Sequence, residues 1–194
     1  VSGRHPWPPP SKRGLSAGDT GFSSIQTFTG RFVEPLNVIA TDVDIRDVAH
    51  ALSNVCRFQG HVRDFYSVAQ HCVLCAGLVP LRHALAALLH DAPETYLCDL
   101  AGPVKRDTEL GLMYKAMEER TAWAIEDAFL LPRHSLEHEH VKNADWAILQ
   151  VEGRQLMPAN GWARADILPG MLIEPWAPKR AEREYLATFG VLVA

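Results

Sequence analysis

The chain has 194 residues, 19 Lys+Arg against 23 Asp+Glu for a net charge of −4, and 47% hydrophobic residues. A chain of this size buries roughly 70% of its unfolded surface, enough to close a core without disulfides or a structural metal. The mild acidic balance argues against a grip on nucleic acid, which needs a clustered basic face, and no apolar run approaches the ~20 residues that span a bilayer.

Residues 1–24 are rich in Pro, Gly and Ser and read as a flexible arm in which Arg4, His5, Lys12 and Arg13 are solvated. Residues 25–194 read as one domain. Between Ile25 and Ile39 the β-prone pieces Gln26–Thr29 and Arg31–Val33, broken by Gly30 and Pro35, suggest a small hairpin. The periodicity then turns helical. Ile45, Val48, Ala49, Leu52 and Val55 place a helix at about 44–57, with Asp42 or Asp44 as its cap. A second helix runs from about 64 to 79 and stops at Pro80, with Val68, His71, Leu74, Cys75 and Leu78 on one stripe. A third spans 81–91 before Pro93, and further helices are expected over 108–130, 135–157 and 178–189. The fold class is therefore all-α, with a short β-prone N-terminal segment.

The informative residues are polar groups where a helix should be apolar. His71 lies among Val68, Leu74, Cys75 and Leu78, and Asp145 lies on the face of Ile148, Leu149 and Leu156. An unpaired buried carboxylate costs several kcal/mol, so Asp145 needs a partner, for which Lys142 one turn earlier is the cheap candidate. The third helix ends in adjacent His90 and Asp91, preceded by the small residues Ala86 and Ala87 that admit close neighbours. Two His and two Asp from three helices make a set that can hold one divalent ion and leave about two of six octahedral positions open. Imidazole with carboxylate suits Mn or Co best, with Mg, Ni, Fe and Zn as alternatives.

His71, then His90-Asp91, then Asp145 resemble the H…HD…D signature of the HD-domain phosphohydrolase superfamily. The flanks Cys56-Arg57-Phe58, Ser67-Val68-Ala69-Gln70-His71, His90-Asp91-Ala92-Pro93-Glu94 and Asp99 to Lys105 are similar to the bacterial 5′-deoxynucleotidase branch and to related phage nucleotide phosphohydrolases, over residues 44–157. The resemblance implies a single helical HD domain with His71, His90, Asp91 and Asp145 as metal ligands. It implies that Glu94 orients or deprotonates the attacking water, with Asp91 beside it at the catalytic centre. It places Arg57 and Lys105 as cations on the phosphate and Asp99 in contact with substrate. Phe58 stands where the bacterial enzymes carry Trp, which bears on base or sugar selectivity, and Cys98 replaces Gly before Asp99.

The function expected is hydrolysis of deoxynucleoside 5′-monophosphates to nucleoside and phosphate. A deoxynucleoside triphosphate triphosphohydrolase is the alternative, for which His61, Arg63 and Arg106 are extra cations, and a nucleotide- and metal-binding sensor without turnover is a third reading. His61, between Arg57 and His71, is a further candidate for substrate binding. The partners expected are the nucleotide and a second copy of the chain, with neither nucleic acid nor membrane. Four cysteines without an apolar secretory segment read as reduced thiols in the cytoplasm, that of the host if the chain is phage-encoded.

Other signals read as packing or surface. Cys72-Val73-Leu74-Cys75 is a CxxC inside an apolar stripe and reads as core filling; His134, His138 and His140 read as a solvated helix end near Ser135. His83 reads as either core or a support to the site. Trp123, Trp146, Trp162 and Trp176 read as packing.

Overall fold

The computed structural model describes residues 23–158 and 167–194; the arm expected over 1–24 and Trp162 lie almost wholly outside them. The described chain is mostly helical, and its only sheet is a small hairpin, β1 (Ile25–Gln26) paired antiparallel with β2 (Phe32–Val33) in the register Ile25↔Val33. Its turn is made possible by Gly30 at φ +86°, a conformation that side chains resist. The hairpin is pinned by Thr29, whose amide and hydroxyl donate to the buried carboxylate of Asp47 at 2.6 and 2.8 Å.

Helix α1 (Ile45–Asn54) starts at Asp44, whose side chain accepts from the Arg46 amide, and buries Val48, Ala49 and Leu52. Residues 57–66 form a loop closed at its neck by backbone bonds from Arg57 to Tyr66 and from Val68 to Val55. Helix α2 (Val68–Leu78) is capped by Ser67 and is apolar nearly all round, so it takes the centre of the bundle. Helix α3 (Leu81–Leu89) follows Pro80, α4 (Glu94–Leu97) follows Pro93, and α5 (Gly102–Asp107) carries Pro103 in its first turn. The long helices α6 (Glu109–Ala128) and α7 (Glu139–Leu156) and the closing α8 (Pro178–Leu192) complete the bundle.

The core runs along α2, where Val68, Ala69, Cys72 and Cys75 meet Leu88 and Leu89 of α3, Ile148 of α7 and Ala181 and Tyr185 of α8. Each large apolar side chain hidden there contributes about 1.5–3 kcal/mol. Tyr185 also donates its hydroxyl to the Leu88 carbonyl at 2.8 Å, so the last helix is tied to the end of α3. Two glutamines strap the extended segment before α8 onto the bundle. Gln155 bonds Met171 and Ile173, and Gln70 bonds Glu174 and Trp176, each through both ends of its amide.

Six helices lie where the hydrophobic periodicity places them, with ends that shift by a few residues. The third stops at Leu89 rather than 91, because the backbone turns at His90–Pro93 before α4 begins. The helix expected from 135 starts at Glu139, with His138 as its cap. Short α4 and α5 were not expected, since pieces this small carry no periodicity.

Candidate metal centre

His71 sits in the first turn of α2, entirely buried. Its Nδ1 meets Glu152 Oε1 at 2.7 Å, so the ring donates its proton there and leaves the Nε2 lone pair facing inward. His90 repeats the arrangement: Nδ1 donates to the Ala87 carbonyl at 2.7 Å, and Nε2 is left free to accept. Those two lone pairs lie 3.3 Å apart. Asp145 Oδ1 stands 3.1 Å from His71 Nε2, while Asp91 Oδ2 is 3.8 Å from His71 Nε2 and 3.3 Å from His90 Nε2.

Four acceptor atoms crowded together, with the ring protons committed elsewhere, repel one another unless a cation lies among them. Donors around an ion at ~2.0–2.2 Å stand ~3.0–3.6 Å apart, a range that takes in these separations except His71 to Asp91, which at 3.8 Å is slightly wider. The residues thus fit a metal ion, and each His already has the outer partner that fixes its tautomer. Two sulfurs border the same point. Cys75 Sγ lies 3.4 Å from His71 Nε2 and Cys72 Sγ 4.0 Å from Asp91 Oδ2, so these buried thiols face the cluster as well as filling the core.

Charge around the centre is balanced from behind. Arg57 donates through Nε to Glu152 Oε2 at 3.1 Å, brings NH2 to the same oxygen, and reaches Asp91 with NH1 at 3.4 Å. Burial alone would raise the Glu152 carboxyl, but Arg57 and His71 beside it hold it down at about 2. The Asp145 side chain is not buried as expected but 43% exposed at the cleft. In the metal-free protein partial burial pushes its carboxyl up, yet a second proton on His71, shared with Asp145, and the nearby His90 hold it well below the usual carboxylate range. Glu94 shows the opposite balance: burial and the neighbouring Asp91 and Asp99 push it well above its ordinary value, against the pull of Lys105. Its Oε1 lies 3.6 Å from Lys105 Nζ, and its buried Oε2 has no hydrogen-bond partner among the described residues.

A cleft of about 850 Å³ opens from His90, Asp91 and Asp145 and runs between α6 and α7. Lys105, Lys115 and Lys142 line it together with Leu112, Trp123 and Leu136. Its outer wall, residues 131–138, is held by buried Glu126, which accepts from the amides of His134 and Leu136.

The expected ligands His71, His90, Asp91 and Asp145 are thus brought together, with Glu94 and Lys105 beside them. Other placements differ from expectation. Lys142 pairs with Glu137 at 2.6 Å, and the partner of Asp145 is His71. Arg57 is engaged by two carboxylates rather than held open for phosphate. Phe58 stands in the left-handed region at φ +54° with the Arg57 guanidinium 5.7 Å from its ring. Asp99 accepts from Gln59 at 3.1 Å, and exposed His61 makes no hydrogen bond to the cluster among the described residues. His83 stacks on His138 and lies tilted against His140. Trp146 is 55% exposed and Trp123 lines the cleft, so neither is core packing. Glu152 was missed by the sequence reading, although its spacing of seven residues from Asp145 puts both on one face of α7.

No protein-family model matches the chain. It is 39% identical over 175 residues to the uncharacterized protein YfdR of Escherichia coli K12, covering 88% of this chain and 96% of that one. It is also 38% identical over 113 residues to the uncharacterized protein RCAP_rcc00048 of Rhodobacter capsulatus, covering 54% of this chain and 57% of that one. With matching sequence across nearly the whole of YfdR, the chain belongs to the same family as that protein.

Proposed function

We propose that the chain is a metal-dependent phosphohydrolase of the HD type that converts deoxynucleoside 5′-monophosphates to nucleoside and phosphate. The observation that carries this reading is the convergence of His71 Nε2, His90 Nε2, Asp91 and Asp145 at the foot of an open cleft. These four residues would hold a divalent ion, Mn or Co in first place, whose chemistry there would be to acidify a water and neutralise phosphoryl charge.

The protein's own groups do the rest. Glu94 accepts the proton of the attacking water through Oε2, the atom that has no hydrogen-bond partner among the described residues. Lys105 stands between Glu94 and Glu118, at 3.6 and 2.9 Å, and lines the cleft, where its ammonium meets a phosphate oxygen. Arg57 and Glu152 act one layer back, steering Asp91 and His71. The cleft volume falls within the ~300–1,000 Å³ typical of small-molecule sites, and exposed Trp123 on its wall offers a face for a nucleobase. The triphosphohydrolase reading keeps one supporting observation, which is that Lys115 lines the cleft with no ion pair among the described residues.

The test is hydrolysis of deoxy- and ribonucleoside mono-, di- and triphosphates by protein stripped of metal and reloaded with Mn or Co. Nucleoside plus orthophosphate from the deoxynucleoside monophosphates is the expected product pair. Intact triphosphate would transfer the assignment to the second reading, and no turnover of any nucleotide would overturn both.

A further inference from the structure

The cluster contains a donor beyond the two histidines and two aspartates. We infer that Cys75 is a ligand of the same metal ion, so that the centre is a mixed nitrogen, sulfur and oxygen site selecting a borderline-soft ion such as Zn or Co over Mn or Mg. The inference rests on the proposal that the cluster binds metal, and it changes which metal the chain retains.

Three observations support it. His71 and Cys75 are four residues apart on α2, so both project from one helix face toward the same point, and both are completely buried. Their donor atoms, His71 Nε2 and Cys75 Sγ, are 3.4 Å apart, and the His71 and His90 Nε2 atoms are 3.3 Å apart. Around a tetrahedral ion with metal–nitrogen distances of ~2.0–2.1 Å and metal–sulfur of ~2.3 Å, those separations come to ~3.4 Å between nitrogens and ~3.6 Å between nitrogen and sulfur. One donor atom from each of His71, Cys75 and His90 lies within 4.8 Å of the other two. The lone pair of His71 Nε2, set by the Glu152 bond behind it, is what the thiol now faces. His71 Nε2 and Cys75 Sγ would therefore hold an ion together. The thiol would bind as thiolate, its proton lost to solvent, alongside the oxygen ligands Asp91 and Asp145. Thiolate ligation favours Zn and Co over hard ions that prefer oxygen alone.

Cys72 is the internal control, because its sulfur also borders the centre, 4.0 Å from Asp91 Oδ2, and it is equally buried. The experiment is cobalt reconstitution of the full chain, read by absorption. Wild type and Cys72→Ser are expected to show a near-ultraviolet thiolate-to-cobalt charge-transfer band, which Cys75→Ser and Cys75→Ala lose while their circular dichroism stays unchanged. In competition titrations Cys75→Ser should lose at least about tenfold in zinc affinity, with a much smaller change for Mn. Cobalt bound without a charge-transfer band in wild type, or a band lost in Cys72→Ser and kept in Cys75→Ser, would overturn the assignment while leaving the metal centre standing. Failure of wild type to take up Co, Zn or Mn would overturn both this inference and the proposed function.

Discussion

Glu152 touches neither the cleft nor the point where the ligand atoms meet, yet it sets the state of two residues that do. One oxygen fixes the tautomer of His71 and the other anchors Arg57, whose remaining amine reaches Asp91. Removing it leaves a buried guanidinium without its main partner and an imidazole free to turn. Glu152→Ala is therefore expected to lower metal affinity about 10–100-fold, measured by competition with a chelating dye, whereas Glu152→Gln keeps packing and loses part of that effect. Glu94 has a different cost. Its carboxylate is buried with one oxygen unpartnered among the described residues and its proton affinity raised by burial, so it weakens the metal-free fold. Glu94→Gln is expected to raise the melting temperature of the metal-free protein, keep its ion, and lower turnover about 10²–10⁴-fold. Far from the site, Arg46 bonds the cap Asp44 and holds its carboxyl at about 2, below the ordinary 3.8. A lowered carboxylate stabilises the fold above its unfolded value, and that contribution disappears as pH falls from about 4 through 2. Asp44→Ala should cost about 1 kcal/mol at neutral pH, and denaturation curves for wild type and Asp44→Asn should converge across that acid window.

Among the elements, those legible in the sequence are the ones long enough to show a period and marked by their own stops. Val68 to Leu78 ends at Pro80, and Val141, Ala144, Ile148 and Val151 keep one buried face through α7. The four-residue α4 has no room for a pattern, and the turn at His90–Pro93 separates Glu94 from the helix that carries His90. For the same reason the ligand set was readable as polar residues on apolar faces, while the partners behind it were not. Lys142 was the nearest cation to Asp145 along the chain, but the packing of α2 against α7 gave Asp145 to His71 instead. The CxxC pattern likewise described apolar spacing correctly and carried no sign of which way the sulfurs point. The joint between α5 and α6 sets the position of Lys105 and depends on Gly111, where a Cβ would come within 2.4 Å of the Lys105 carbonyl. Gly111→Ala is expected to destabilise the protein by about 1–3 kcal/mol in denaturant unfolding and to raise KM through displacement of Lys105.

Across the whole molecule the net charge is −4, and carboxylates outnumber lysines in the lining of the cleft as well. The cleft carries Lys105, Lys115 and Lys142 beside Glu118, Glu119, Glu126 and Glu137, and Lys105 and Lys142 are already paired with Glu118 and Glu137, so without a bound ion the lining exerts little pull on an anion. Binding strength must then come also from the apolar wall. Trp123 stands there with the Arg133 guanidinium 5.8 Å from its ring centre. Stacking of a base on an aromatic ring is worth ~1–3 kcal/mol, so Trp123→Ala should raise KM for a nucleoside monophosphate on the order of tenfold and leave kcat and the KM for deoxyribose 5-phosphate nearly unchanged. Among the described residues no helix is long and apolar enough to cross a membrane. The central claim is that His71, His90, Asp91 and Asp145 form one metal centre, and calorimetric titration of metal-stripped protein with Mn, Co and Zn tests it most directly. The account predicts one ion per chain in wild type and Glu94→Gln, and none in Asp91→Ala or His71→Ala. Uptake unchanged by those two substitutions, or no uptake by the wild-type protein, would contradict it.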